Sequence, residues 1–389
     1  MTTLLVGGRR RVLVARPDGS TPGALGLDMA VALAGARQGD ASVCLLTPPV
    51  LCKPALFALV PEGIPRLEAR SFRGLWLRAR WRARHVGMSF RARAVERRAS
   101  FWLQVYRELR RHVGDRRLPY PWRVRLRRGA RRSFARARGA DVRPGARLDR
   151  RLLESAVPSS LPPPLAAEAG GRAASLGIAP PRRVVALDVR RRLDRLRDAV
   201  DALIAADYTV VHLGDAGVER LERPGVVDLT ALPERARALD VFVLQTAAFL
   251  VCDTMDAQRV AYLTGTPCLT IDAVDPVASY PARRDGVYML AAAIDLETGV
   301  ELSFEDRLGR ESARNPGRYG YRINTPAEIL AAVRDMQDGV QQGWDDTPAQ
   351  ARVRVMVGRA SSDRESTRQD ERGFIGGGRL ARVQAEGLA

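Results

Sequence analysis

The stretch 251–272, VCDTMDAQRVAYLTGTPCLTID, constrains the fold of this chain more than any other. It reads as a short apolar strand, an Asp-Thr corner, one helix's worth of residues, a Gly-Thr-Pro turn and a second apolar strand. This is the strand–turn–helix–strand unit of an open parallel sheet. Such sheets bind ligands beyond the carboxyl ends of their strands, which makes Asp253 and Thr254 candidate ligand residues.

The same alternation runs through the second half of the chain. Apolar runs at 184–189, 209–213, 226–229, 249–252 and 268–271 are separated by helical stretches such as 193–206 and 233–246, with a further helix near 327–336. Continuous Val, Leu and Ile, without strict alternation, indicates strands covered on both faces and joined by right-handed crossovers. Near the start, 12–15 reads as a buried strand, 17–23 as a turn-rich loop, 27–34 as a helix and 42–46 as another strand. That loop either approaches a ligand or is simply a tight connection, and both readings stand. The Pro- and Ala-rich run 157–165, followed by Ala-Gly-Gly-Arg, reads as a connector.

The fold class is therefore α/β, with two doubly wound parallel-sheet domains, 1–165 and 166–345, facing a cleft. Residues 346–389 contain Gly-Gly-Gly, mixed charge and no sustained period, and read as a disordered tail. With 389 residues the chain is long enough for each domain to bury its own core.

The formal charge of +19 becomes informative once it is located. Residues 70–151 hold 27 arginines and five acids, whereas the remainder has 36 basic and 39 acidic residues. Within that segment Phe101, Val105, Leu109 and Val113 recur every four residues among arginines, giving a basic amphipathic helical insertion in the first domain. Upstream, Trp76 and Trp81 alternate with Arg78 and Arg82, a combination suited to an anionic membrane surface. The aromatic stripe is equally explained as the face packed on the domain core. Nucleic acid is the weakest reading, because no binding motif accompanies the charge.

Cys44, Cys52, Cys252 and Cys268 show no C-x-x-C spacing, and His85, His112 and His212 are far apart. Neither a metal site nor a disulfide framework is expected, and the cysteines read as small apolar core residues. There is no apolar run of about 20 residues and no signal-peptide pattern, so a cytoplasmic protein is expected, with peripheral attachment at the inner membrane if the arginine segment binds lipid.

The strand ends of the second half present Asp188 and Arg190, then His212, Gly214 and Asp215, Thr230, Asp253 and Thr254, and Asp272. An arginine facing a helix N-terminus is what a metal-free site needs to stabilise a departing diphosphate, which singles out Arg190. Arg190 could instead cap its strand and pair with Asp188. His212 could act as a base or be structural, and Asp215 could bind hydroxyls or cap the next helix.

Over roughly residues 184–336 the sequence resembles bacterial glycosyltransferases of the heptosyltransferase type, which have the two-domain GT-B fold. The resemblance rests on VVALDVR, on TVVHLGD followed by RPGVVDLT, on ALDVFVLQTAAFLVCDT with AYLTGTPCL, and on LSFEDRL with YGYRINTPAEILAAVRDM. It implies a nucleotide-sugar donor bound by Arg190, His212, Gly214, Asp215, Asp253 and Thr254, with no cofactor and no obligatory metal. It also implies a glycan or lipid-linked acceptor in the first domain, where Gly23, Leu25 and Asp28 resemble the remains of the family's Gly-His-Leu loop. Asp28 or Asp18 would then take the proton from the acceptor hydroxyl.

The departures fall where chemistry would occur. Ala24 and Asp188 stand in place of the family's two histidines, and its Gly-Thr-Ser-Ser-Gly phosphate loop reads Cys252-Asp253-Thr254-Met255-Asp256. A carboxylate about 5 Å from a phosphate charge costs ~3 kcal/mol at an effective dielectric of about 20. Either Asp253 and Asp256 turn aside, or the donor site has changed. A catalytically inactive scaffold or membrane-surface binding protein is the alternative.

Overall fold

In the computed structural model, the described residues are 158–178, 183–190, 192–213, 220–232, 238–309, 316–363 and 377–388, with short stretches of the first 67. The basic insertion 70–151, with Trp76, Arg78, Trp81 and Arg82, lies outside them, as do Asp18, Asp28, Gly214 and Asp215.

The chain divides into two compact units. One comprises Met1–Leu4 and Leu67–Arg147, the other Leu5–Arg66 and Leu148–Ala389. Strands β1 (Thr2–Val6) and β4 (Arg66–Leu67) straddle the division. In the second unit β2 (Arg10–Ala15) and β3 (Ser42–Leu46) pair in parallel, as the two apolar runs of the N-terminal region predict.

The second unit is built on a seven-stranded parallel sheet. Its strands are β5 (Arg183–Asp188), β6 (Tyr208–His212), β7 (Val226–Asp228), β8 (Ala247–Cys252), β9 (Cys268–Ala273), β10 (Gly286–Leu290) and β13 (Arg379–Leu380), in the order β13-β10-β9-β8-β5-β6-β7. The chain first winds outward through β5, β6 and β7, then returns to lay β8 on the other side of β5. That reversal leaves a crevice above the carboxyl ends of β5 and β8.

The helices follow from local signals. A 3-10 turn (Leu193–Leu196) leads into α2 (Arg197–Ala205), and α3 (Leu239–Thr246) and α4 (Met255–Thr264) flank β8. Thr254 caps α4 at its start, and Gly265 ends it with φ +77°, where a Cβ would also run into the Pro158 ring. The Asn-Thr-Pro-Ala-Glu turn opens α6 (Pro326–Gln342) through a complete capping box between Thr325 and Glu328. Phe249 and Val251 of β8 join Val185, Leu187, Ile329, Val333 and Met336 in the main core, all buried. A small antiparallel pair, β11 (Ala292–Asp295) with β12 (Tyr319–Arg322), is separated in sequence by the short helix α5 (Phe304–Leu308).

Two sequence expectations are corrected. The connector contains helix α1 (Pro163–Ser175), so a junction after residue 165 falls inside a helix; prolines that suggested a linker occupy the helix start, where their missing N–H costs nothing. Among its described residues, the tail read as disordered forms α7 (Pro348–Asp363), β13 and α8 (Arg382–Glu386), with Val353, Val357, Leu380 and Ala385 buried against Tyr288 and Leu290. Its glycines serve close approach: a Cβ on Gly378 would lie 2.6 Å from the Pro281 Cβ and 2.7 Å from its carbonyl oxygen.

Candidate functional site

Two loops meet above β5 and β8. The loop after β5 carries Arg190, whose backbone N–H donates to Asp253 Oδ2 at 3.1 Å, and whose guanidinium lies 3.9 Å from Asp188 Oδ1. The loop after β8 carries Asp253, whose own N–H reaches the Asp188 carbonyl at 3.4 Å, and then Thr254. Thr254 Oγ1 accepts from the Ala257 N–H at 3.2 Å, so α4 is capped and its N-terminus directed at the crevice.

Beside these loops is a cavity of about 60 Å³. Arg190 and Asp188 line it together with Asp256 and Ala257 in the first turn of α4, Asp240 of α3, and an apolar floor that includes Leu56 and Leu250. One water needs roughly 10–15 Å³, so this volume holds a small part of a ligand while the rest lies outside. Arg190 and the positive end of α4 therefore face the same space. Asp256 lies 3.9 Å from Arg259 along the helix.

Asp253 is the most unusual group. Its Oδ1 is buried and meets no hydrogen-bond partner among the described residues. Burial pushes its carboxyl above the ordinary carboxylate range; the Arg190 N–H opposes this and the Asp272 charge adds to it. Asp272, at the end of β9 with φ 56°, is held by Arg195 Nη2 at 2.7 Å and accepts from the Asn324 N–H at 2.7 Å. Asn324 Oδ1 accepts from the Asp272 N–H in return, and the Asn324 carbonyl takes a second Arg195 N–H. This closed network ties β9 to the start of α6.

His212 faces inward. It is fully buried, with Nδ1 3.2 Å from Asp228 Oδ2 and Nε2 3.4 Å from the Val189 carbonyl, which leaves neither ring nitrogen for a ligand. Burial would raise the Asp228 carboxyl, but hydrogen bonds from Thr230, His212 and the Leu221 N–H together hold it below its usual range. The Cys252 and Cys268 thiols sit 3.5 Å apart inside the sheet; each other's proximity and burial push the Cys252 thiol well up, as for unreactive core cysteines.

The structure thus brings Arg190, Asp253 and Thr254 together and turns His212 away. Sequence reasoning missed Asp240, buried in the first turn of α3, although an acid opening a helix beside a strand end was a visible signal. Thr254→Ala is expected to cost about 1 kcal/mol by removing the cap, read as a lower denaturant midpoint with an unchanged slope. No described helix is long and apolar enough to cross a membrane.

No protein-family model and no curated protein matches the chain. Among solved structures it is similar to the E. coli ADP-heptose LPS heptosyltransferase II, with 11% identity over 85% of this chain and 98% of that one and a TM-score of 0.39. A glycosyl transferase family 9 structure from Veillonella parvula shares 9% identity over 84% of this chain and 96% of that one, with a TM-score of 0.45. The E. coli heptosyltransferase WaaC with ADP shares 14% identity over 72% of this chain and 93% of that one, with a TM-score of 0.33. The structures named here as similar to this chain are thus heptosyltransferases and a family 9 glycosyltransferase, at 9–14% identity.

Proposed function

We propose that this chain is a glycosyltransferase that moves a sugar from a nucleotide-sugar donor to a glycan or lipid-linked acceptor. The observation that carries the reading is the cavity at the strand-order reversal, shared by Arg190 and the first turn of α4. A guanidinium and a helix N-terminus facing one space suit the diphosphate of a donor. The sequence motifs from 184 to 336 support the transfer itself. In the reaction the acceptor oxygen bonds to the anomeric carbon as its proton passes to Asp28 or Asp18, and the bond from that carbon to the diphosphate oxygen breaks. Arg190 and α4 stabilise the nucleoside diphosphate that leaves. Asp253 fits this role better than its charge suggests, because its Oδ2 turns to the Arg190 backbone.

The test is thermal stabilisation of the purified protein by a panel of nucleotide-sugars and nucleoside diphosphates. At least one is expected to raise the Tm, and Arg190→Ala is expected to weaken its binding by about 2–3 kcal/mol, roughly 30- to 150-fold. A panel without any shift would remove the donor-site reading. The reading of an inactive scaffold that docks on anionic membrane through its arginine segment is favoured by the carboxylates in the phosphate loop. It expects flotation with anionic liposomes, suppressed by salt, without any nucleotide effect.

A further inference from the structure

A carboxylate oxygen buried without a partner is costly, and native structures hold such groups where something else completes them. Asp253 Oδ1 is in this position, at the reversal point of the sheet, one residue before the cap of α4. Its other oxygen is occupied by the Arg190 N–H. An ionised Asp253 would both leave Oδ1 unsatisfied and repel a diphosphate held by Arg190. A neutral one would remove both the buried charge at Oδ1, which is closed off from solvent beside the cavity, and its repulsion of the anion, while Oδ2 continued to accept from Arg190.

We propose that Asp253 is a proton-linked positioning residue of the anion site: as a diphosphate binds, Oδ1 takes one proton from solvent, and Oδ2 keeps the Arg190 backbone in place. This rests on the donor-site reading given above. The charged groups around Asp253 are Asp188 and Arg190 on the β5 loop, Asp272 on β9 with its partner Arg195 on the 3-10 turn, and Asp256 with Arg259 on α4. Asp188, Asp256 and Asp272 each lie within 4 Å of an arginine nitrogen, whereas among the described residues the Asp253 side chain forms no ion pair that close and accepts from the Arg190 backbone N–H, with the Arg190 charge acting on it from farther off. Burial, which already raises its carboxyl, favours uptake of a proton there when a second negative charge arrives.

The consequence is that affinity for a diphosphate rises as pH falls, since the bound state holds one more proton than the free state. Suitable probes are ADP-glucose, UDP-glucose and GDP-mannose, whose diphosphate diesters stay ionised between about pH 5 and pH 8, so the ligand contributes no titration. Calorimetry in two buffers of different ionisation heat counts protons taken up per ligand. Wild type is expected to approach one. Asp253→Asn, whose amide copies the neutral carboxyl by accepting from Arg190 without carrying a charge, is expected to take up none and to bind about tenfold more tightly near pH 7.5. Asp253→Ala also removes the charge but frees the Arg190 loop, and is expected to bind more weakly than Asp253→Asn; a purely structural or purely electrostatic role would not separate the two in this order. Proton uptake absent from wild type, or persisting in Asp253→Asn, overturns the proposal while leaving the donor site in place. Failure of all three probes to bind wild type at any pH overturns both.

Discussion

A chain ending at Thr347 is expected to lose cooperative folding, although the residues removed are those whose composition suggests a dispensable tail. Val353, Val357 and Leu380 are each at most 1% exposed. At about 1.5–3 kcal/mol for each buried side chain, they approach the roughly 5–15 kcal/mol that separates a folded domain from its unfolded state. Truncation also uncovers Tyr288 and Leu290 and strips β10 of its parallel partner. An apolar edge strand left open in this way templates aggregation. The check is a thermal or denaturant melt of the truncated chain beside the full one. A truncated protein that stays soluble and melts within a few degrees of the parent would show that the tail contributes no core.

The second large effect is expected at Asp272. Arg195 is 5% exposed and finds its compensating carboxylate in Asp272 at 2.7 Å. Asp272→Ala leaves that guanidinium buried and unpaired and also removes the acceptor of the Asn324 N–H. Breaking a buried pair from one side costs about 3–5 kcal/mol, which corresponds to a fall in Tm of roughly 5–8 °C for a unit of about 300 residues. The double variant Arg195→Met with Asp272→Asn removes both charges, keeps an oxygen for Asn324 and suits the left-handed backbone at position 272, so it is expected to recover much of the loss. A single variant within a degree or two of wild type would mean that water already compensates Arg195.

The central strands were legible because a strand covered on both faces leaves little choice of residue. Val184, Val185, Ala186 and Leu187, or Phe249, Leu250 and Val251, are buried on either side of the sheet, and the sequence is correspondingly unbroken. The edge was not legible. β13 is two residues long, Arg379 and Leu380, and no periodicity can be read from two positions. Gly378 before it reads the same in sequence whether it supplies freedom or permits contact with Pro281. β10 was missed although Val287, Tyr288 and Met289 carry strand signals, because Tyr288 spends its hydroxyl on the Pro276 carbonyl, a pairing visible only in three dimensions.

In the site, position along the strand was enough to gather Arg190, Asp253 and Thr254, since adjacent parallel strands end side by side. It did not reveal which way a side chain turns. His212 ends β6 as Asp188 ends β5, yet its ring lies between Asp228 and Val189. The direction of Asp253 was equally hidden: sequence showed a carboxylate after β8, and only the 3.1 Å bond showed that one of its oxygens accepts from the Arg190 backbone.

The order of the strands also sets a timetable for biosynthesis. β10 leaves the ribosome long before its outer neighbour β13, and at about 5–20 residues per second the interval is on the order of ten seconds. Throughout that time the nascent sheet has an unsealed flank, which stays open until Arg379 and Leu380 have emerged. A ribosome stalled between these two strands would therefore hold a sheet still dependent on chaperones.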